Sequence, residues 1–201
     1  MEYIVLDIET TGLSRYIHKI TEIAAVKVKD NKIIEEYQTL VNPETKIPRF
    51  ITRLTGIDNE MVKDAPTINE VMPGLLKFLG NHTIVAHNAT FDYGFIAYNA
   101  EMYLKKRICN DKLCTRKLAN RLLPDIPSKK LSALCELFKV TNEQAHRAMA
   151  DVKATTQIFS KMQELLQYAE ITDLEKIKEF EKTRPKDVPR EISHTFSRVL
   201  F

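Results

Sequence analysis

The segment Tyr3-Ile4-Val5-Leu6-Asp7-Ile8-Glu9-Thr10-Thr11-Gly12 joins a short apolar run to two acidic residues and a turn-forming sequence. We predict a β-strand over Tyr3–Leu6, with Asp7 and Glu9 at its end. Because side chains alternate along a strand, residues two apart point to the same face. Both carboxylates therefore aim at one spot beyond the strand, where open α/β sheets bind their ligands.

This pair of carboxylates predicts a bound cation, because two like charges so close together repel each other. Oxygen-only ligation favours magnesium or manganese over zinc. An Asp-x-Glu pattern also arises often by chance, so for this pair alone a solvated strand end is the alternative.

The rest of the chain alternates between strand-like and helix-like patterns. Residues 20–28 and 33–41 predict two strands joined as a hairpin at Asp30-Asn31-Lys32. We also predict strands over 83–86 and 107–114, a helical turn over 50–54, and helices over 67–79, 91–104, 115–122, 131–138 and 148–168. Three strands followed by alternating helices and strands indicate an α/β fold, with a central mixed five-stranded sheet flanked by helices.

The composition suits one compact domain with a short appendage. The chain has 201 residues, of which 44% are hydrophobic and 28% charged. No apolar run approaches the roughly 18 residues of a membrane span, and the first residues lack the basic start of a signal peptide. The three cysteines form no CxxC pair. We therefore expect reduced thiols and a cytoplasmic protein, and we exclude the secreted, membrane and disulfide-scaffold classes.

A second polar group, His87-Asn88-Ala89-Thr90-Phe91-Asp92, follows the fourth predicted strand. We expect Asn88 to cap the helix that begins there and Asp92 to lie in the first turn of that helix. An acid that only complements the helix dipole is the alternative for Asp92. His87 is interpreted as a half-buried structural histidine rather than a ligand.

A third group is His146-Arg147-Ala148-Met149-Ala150-Asp151. Five residues along one helix turn the chain by about 140° beyond a full turn, so His146 and Asp151 could not share a face of a single helix. We place His146 in the loop before the helix and Asp151 in the second turn of that helix. A loop histidine has the mobility and the ordinary pKa to take a proton from water. A purely structural pair is the alternative.

Taken together and in this order, the three groups resemble the DnaQ-like exonucleases of the DEDDh type, a family that includes proofreading subunits of bacterial DNA polymerase III. Leu54-Thr55-Gly56-Ile57 also resembles the family pattern, and the resemblance covers about residues 1–168. A histidine five residues before the last aspartate, with Arg147 rather than tyrosine at the next position, indicates the DEDDh branch. The resemblance implies a ribonuclease H-like exonuclease fold.

The resemblance also implies a mechanism. Two divalent cations, Mg²⁺ or Mn²⁺, would be held by Asp7, Glu9, Asp92 and Asp151. They would act on the attacking water and the leaving 3′ oxygen of a phosphodiester, with His146 as the general base. The expected reaction releases nucleoside 5′-monophosphates from the 3′ end of single-stranded or frayed DNA. Four further positions would meet the terminal nucleotide, with Leu13 as an apolar wedge: Thr10, Leu13, Asn88 and Phe91.

Other functions remain open at this point. An RNA 3′-end trimming enzyme, similar to ribonuclease T or oligoribonuclease, would use the same chemistry. The Leu54–Ile57 pattern favours the polymerase-associated branch. A degenerate fold that only binds nucleic acid would lack one of the acids, whereas all four are present.

The expected partners are a single-stranded DNA 3′ end and a polymerase catalytic subunit or a sliding clamp. Residues 163–168 weakly resemble a clamp-binding sequence, with the end of an amphipathic helix as the alternative. Residues 105–130 carry nine bases and two acids, a net charge of +7, and could contact phosphates or form a solvated helix face. At the strand end before the 115–122 helix, Cys114 replaces an aspartate common in relatives.

We divide the chain into an exonuclease domain over residues 1–170 and an extension over residues 171–201. The extension carries seven bases, six acids and few large apolar residues before Phe196. We interpret it as an additional helix and a tail outside the core. Residues 171–201, which end Phe196-Ser197-Arg198-Val199-Leu200-Phe201, are either a partner-binding element or a helix packed back on the domain followed by a frayed end.

Overall fold

The computed structural model describes residues 1–189. The strands are β1 (Glu2–Thr10), β2 (Ile20–Lys29), β3 (Lys32–Leu40), β4 (Ile84–Ala86) and β5 (Lys112–Cys114). The helices are α1 (Arg49–Thr55), α2 (Asn59–Val62), α3 (Ile68–Leu79), α4 (Ala89–Leu104), α5 (Thr115–Leu122), α6 (Leu131–Phe138), α7 (Ala148–Gln167) and α8 (Leu174–Lys182), followed by a 3₁₀ turn at Pro185–Asp187.

The five strands form one mixed sheet in the order β3-β2-β1-β4-β5. Strand β2 runs antiparallel to both of its neighbours, β1 and β3. Strands β4 and β5 run parallel to β1. Helices cover both faces. The predicted fold class is therefore confirmed, and β1 lies at the centre of the sheet.

Strand β1 is longer than we predicted. Its pairing with β2 continues past Leu6, with Asp7 opposite Ala24 and Glu9 opposite Glu22, and the register shifts only between Glu9 and Thr10. The two acids therefore lie within the strand rather than beyond it. Backbone pairing overrides the loss of apolar side chains at these positions.

Alternation along β1 divides the core between the two faces of the sheet. Tyr3 and Val5 pack on one side against the long helix α7, where the Tyr3 and Phe159 rings meet edge to face at 5.0 Å. Ile4, Leu6 and Ile8 pack on the other side against α3 and α4. Complete burial of a large apolar side chain contributes about 1.5–3 kcal/mol, so these two layers fix β1 firmly.

Several boundaries differ from the predictions. Helix α4 begins at Ala89, two residues earlier than expected, and the expected turn over 50–54 is a helix of seven residues, α1. The fifth strand is only Lys112–Cys114, because its partner β4 offers only three residues for pairing.

Helix α8 contradicts the expectation that the chain beyond residue 170 stays outside the core. Ile177 and Phe180 are buried in the same cluster as α5 and α7. The side chain of Glu181 accepts a hydrogen bond from the backbone N–H of Cys114 at 3.3 Å. An apolar pair three residues apart suffices to seat a highly charged helix.

The clamp-binding interpretation of residues 163–168 is wrong for this segment. Gln163, Leu165 and Leu166 are buried in α7, whereas Glu164, Gln167 and Tyr168 are exposed. The alternative, the end of an amphipathic helix, is confirmed. Residues 190–201, including the tail from Phe196 to Phe201, lie outside the described residues.

The basic residues of 105–130 do not act as one set. Arg121 is buried and donates hydrogen bonds to the carbonyls of Lys117 and Thr183, and Lys112 lies over the ring of Tyr93 at 4.9 Å. Phosphate binding by the other bases stays a prediction. Within residues 1–189, no helix combines the length and the hydropathy that crossing a bilayer would require.

Candidate active site

Asp7 and Glu9 extend from β1 toward the side of the sheet that α7 covers. They continue the odd-numbered face of Tyr3 and Val5, as the alternation rule predicts. Burial raises the pKa of Asp7 well above its usual range, and the nearby carboxylates of Asp92, Glu9 and Asp151 raise it further. Burial and the neighbouring carboxylates raise the pKa of Glu9 to about 8.

Asp92 reaches the same place from the start of α4. The chain turns from β4 into this helix through Asn88, whose φ of 109° lies in the left-handed region. Asp92 is buried in the first turn, as predicted, and its Oδ1 accepts a hydrogen bond from the N–H of Ile8 at 3.3 Å. Burial raises its pKa to about 7, although backbone N–H groups oppose the shift.

Asp151 comes from the first turn of α7, and both of its oxygens are held. Its Oδ1 accepts a hydrogen bond from Nδ2 of Asn142 at 2.6 Å, and its Oδ2 accepts one from the N–H of His146 at 3.3 Å. Burial raises the pKa of Asp151, and these hydrogen bonds counteract part of the rise. Sequence analysis missed Asn142, because an asparagine in a loop carries no signal of its own.

His146 lies in the loop before α7, as predicted, and its side chain is exposed. Its φ of 67° is unusual for a residue with a side chain. Glu9, His146 and Asp151 each offer one ligand atom, and these three atoms lie within 4.8 Å of one another. The structure therefore brings His146 together with the acids, although these residues come from three separate parts of the chain.

An ion pair between Arg147 and the buried Glu22 holds the end of this loop on β2. Glu22 on β2 is fully buried, and it accepts hydrogen bonds from Arg147 at 2.9 and 3.1 Å, from the N–H of Ala148 at 3.0 Å and from Gln38 at 3.0 Å. Burial would raise the pKa of Glu22, but these hydrogen bonds lower it below its usual value. Sequence analysis missed this residue too, although an acid inside an apolar strand was a usable signal.

The donor set fits divalent cations. Within residues 1–189, none of the four clustered carboxylates forms an ion pair with lysine or arginine: Asp7, Glu9, Asp92 and Asp151. Burial raises the pKa of each of these carboxyl groups, as expected where no cation offsets the loss of water. Carboxylate oxygens are the ligands that magnesium and manganese prefer.

The four positions expected to meet a nucleotide are arranged unequally. Leu13 is 85% exposed, and Phe91 is half-buried with its ring 5.0 Å from that of Phe95. Thr10 is buried, and its hydroxyl donates to the carbonyl of Gly12 at 2.7 Å, so it shapes the loop that carries Leu13. Asn88 is exposed at the N-cap position, but its side chain makes no capping hydrogen bond, so the expected cap is wrong.

The loop over residues 11–19 is tightly closed. Its ends are joined by a hydrogen bond from the N–H of Thr11 to the carbonyl of Lys19 at 2.8 Å, and His18 Nδ1 accepts one from the N–H of Ser14 at 3.1 Å. The imidazole of His18 lies so close to Gly12 that any side chain there would collide with it. This packing holds the loop that presents Leu13 immediately after the end of β1.

Comparison with protein-family models matches residues 4–159 to the exonuclease family. The chain therefore belongs to the exonuclease family, in its DnaQ-like DEDDh group. The sheet order and the four-acid site agree with this assignment, and the resemblance seen in the sequence is confirmed.

The most similar proteins include two bacterial replication proteins. The chain is 46% identical over 189 residues to the PolC-type DNA polymerase III of Caldanaerobacter subterraneus, a match that covers 94% of this chain and 13% of that protein. It is 36% identical over 181 residues to the DNA polymerase III subunit epsilon of Aquifex aeolicus, covering 90% of both. The chain thus spans only 11–13% of the length of the PolC-type relatives.

Solved structures support the fold. Exonuclease X in complex with 5′-overhanging duplex DNA superimposes with a TM-score of 0.70 at 29% identity, covering 89% of this chain and 99% of that one. This likeness extends over nearly the whole of that exonuclease, so the expected exonuclease fold is confirmed.

Proposed function

We propose that the chain is a 3′–5′ exodeoxyribonuclease domain of the proofreading type, which depends on two divalent cations, Mg²⁺ or Mn²⁺. The observation that carries the proposal is the convergence of four carboxylates and one loop histidine on the end of β1. The similarity of this chain to a DNA polymerase III epsilon subunit, over 90% of both chains, supports DNA as the substrate and proofreading as the role.

In this proposal Asp7, Glu9, Asp92 and Asp151 hold the cations. When bound, the cations supply positive charge that lowers the pKa of water and neutralises the phosphodiester. The carboxylates are already oriented without them, since Asp92 is held by the N–H of Ile8 and Asp151 by Asn142.

His146 accepts the proton of the attacking water. Its exposed position lets the imidazole exchange that proton with solvent. Leu13 then separates the terminal base from the rest of the strand, while Phe91 and Asn88 lie beside it, and Thr10 supports Leu13.

We also propose that the domain acts beside a polymerase, because two of its relatives are polymerase III proteins. The division into an exonuclease domain over residues 1–170 and an extension over 171–201 is kept as a proposal with one qualification. Helix α8 packs on the domain, so a partner-binding element would begin after it.

Digestion of a 5′-labelled single-stranded DNA tests the function. With Mg²⁺ or Mn²⁺ we expect a ladder that shortens one nucleotide at a time from the 3′ end, with EDTA abolishing it. A phosphorothioate at the last 3′ linkage should block digestion, whereas one at the 5′ end should not. A matched RNA decides the alternative, since preferential RNA trimming would overturn the DNA assignment.

Two substitutions connect the reaction to the site. Asp7→Ala should abolish digestion, and His146→Ala should slow it by about a hundredfold or more, the usual contribution of a general base. His82→Ala is the matched control, because His82 bonds to Glu2 at the opposite end of β1, roughly 23 Å from Glu9. Digestion that persists in Asp7→Ala would contradict the proposed site.

A further inference from the structure

Besides Leu13, the loop over residues 11–19 carries an exposed aromatic residue, Tyr16. Tyr16 is 67% exposed, and its ring is steadied by Tyr98 of α4, edge to face at 5.3 Å. An exposed aromatic ring that is already held in one orientation loses little conformational entropy when a flat ligand contacts it.

Arg15 lies beside Tyr16 in the same loop. Its guanidinium carbon is 5.1 Å from the centre of the Tyr16 ring, and Nη2 donates to the Tyr16 hydroxyl at 3.3 Å. Within residues 1–189, no carboxylate forms an ion pair with Arg15. A half-buried guanidinium without a carboxylate, close to a phosphodiester-cleaving site, has the charge and the planar donor geometry to bind phosphate.

Gly94 on α4 makes room for this arginine. The Arg15 guanidinium lies directly against the backbone of Gly94, and a methyl group at that position would collide with it. Gly94 lies in the middle of a helix, where glycine costs about 1 kcal/mol relative to alanine. Here the absence of a side chain seats the guanidinium.

A cleft of about 160 Å³ opens between this loop and α4. It shares Leu13 and Phe91 with the proposed site of the terminal nucleotide, and Arg15 and Tyr16 add a cationic and an aromatic wall. The cleft is therefore continuous with the candidate active site.

We propose that this cleft binds the second nucleotide from the 3′ end of the strand. Tyr16 contacts its base, and Arg15 pairs with a phosphate on the 5′ side of the scissile bond. The inference rests on the proposed exonuclease function. Stacking on an aromatic ring accepts any base, which suits a nuclease that must remove every nucleotide.

Two substrates separate this inference from the function on which it rests. The p-nitrophenyl ester of thymidine 5′-monophosphate carries a scissile phosphodiester and only one nucleotide, whereas tetrathymidylate fills the cleft as well. In Arg15→Gln and Tyr16→Ala we expect the KM for tetrathymidylate to rise about tenfold, the usual effect of losing one stacked base. The kcat/KM for the ester should stay at the wild-type value.

Matched controls lie far from the cleft. Lys32→Gln removes one positive charge at the other end of the β2–β3 hairpin, and Tyr168→Ala removes a tyrosine of similar exposure, 65%, at the far end of α7. Both should behave as wild type on the two substrates. Arg15→Gln, unlike the controls, should also reduce the slope of log K against log salt by about 0.7, the value for one phosphate contact on a single strand.

Gly94→Ala provides an independent check, because it leaves both side chains in the chain but displaces the guanidinium. It should reproduce the Arg15→Gln effect on tetrathymidylate. Wild-type values for tetrathymidylate in Arg15→Gln and Tyr16→Ala would overturn the cleft while leaving the exonuclease function intact. If the wild-type protein hydrolyses neither substrate, the proposed function fails and the inference fails with it.

Discussion

Arg147 donates two hydrogen bonds to Glu22, from Nε to Oε2 at 3.1 Å and from Nη2 to Oε1 at 2.9 Å. This pair joins β2 to the residue that separates His146 from α7. Glu22 in turn lies opposite Glu9 across the sheet. One buried carboxylate thus fixes the position of the proposed base relative to the proposed metal ligands.

We expect Glu22→Gln to damage both stability and activity, because Arg147 loses its partner and Ala148 a charged acceptor. Breaking a buried pair from one side costs about 3 kcal/mol, measurable as a lower urea midpoint. Hydrolysis of the p-nitrophenyl ester should fall more in kcat than in KM, as expected of a positioning residue. Glu35→Gln is the control, since it breaks an exposed pair with Lys27 on the same hairpin.

Stability without metal should fall as the pH rises from 7 to 9. Glu9, with a pKa raised to about 8, binds more protons in the folded than in the unfolded chain, so the folded state loses stability as the pH passes through that value. Below pH 7 the stability has no single trend with pH. Burial lowers the pKa of His87 to about 4, so this group binds fewer protons in the folded than in the unfolded chain and makes stability rise with pH.

Thermal unfolding in EDTA measures this effect, and saturating Mg²⁺ should remove most of it. The increase in Tm caused by Mg²⁺ should therefore be larger at pH 9 than at pH 7. A metal-free Tm that rises over the same interval would contradict the charge assignment of the site.

Asp92→Asn should stabilise the metal-free protein while it abolishes hydrolysis. It removes one of four crowded negative charges, and the amide oxygen can still accept the hydrogen bond from Ile8. At pH 8 we expect a gain of roughly 2 kcal/mol in the free energy of unfolding. At pH 5 the folded carboxyl is protonated while the unfolded one is still ionised, so the gain should be smaller than at pH 8 and should disappear only below about pH 4. A gain that is equal at pH 8 and pH 5 would indicate a cause other than charge.

Asn142→Ala should weaken metal binding rather than substrate binding, since Asn142 orients Asp151 through a 2.6 Å hydrogen bond. Loss of such a supporting contact typically costs about 10–100-fold in metal affinity. The Mg²⁺ concentration for half-maximal ester hydrolysis should rise accordingly, with little change in the KM at saturating Mg²⁺. Asn120→Ala on the exposed side of α5 is the control.

Ile177→Ala tests whether α8 belongs to the domain. The side chain is fully buried against the main core, so the substitution should cost about 2–5 kcal/mol and lower the midpoint of a single unfolding transition. A chain ending at residue 170 should lose at least as much stability. If that shortened chain unfolds at the wild-type urea concentration, α8 is an appendage as the sequence suggested.

The sequence predicted those parts of the site that lie close together in the chain. Asp7 and Glu9 share a face because strands alternate, and Asp92 falls in the first turn of α4 as predicted. Asp151 lies in the first turn of α7 rather than in the predicted second turn. Glu22 and Asn142 could not be predicted in the same way, since strand pairing and a loop bring them to the site from elsewhere. Helix α8 was misjudged because its many charges concealed a two-residue apolar contact.

Because β1 lies at the centre of the sheet, the acids on it and the loop that carries His146 should differ in how readily they open. The amide protons of Asp7, which lies opposite Ala24 in the sheet, and of Ile8, which donates to the buried Asp92, should exchange with deuterated water only when the whole domain unfolds. Those of the loop around His146 should exchange through local opening. The proposed metal ligands on β1 thus share the stability of the whole domain, whereas the proposed base lies in a segment that can open separately. Local opening of that segment would displace His146 and leave the frame of the proposed metal ligands in place.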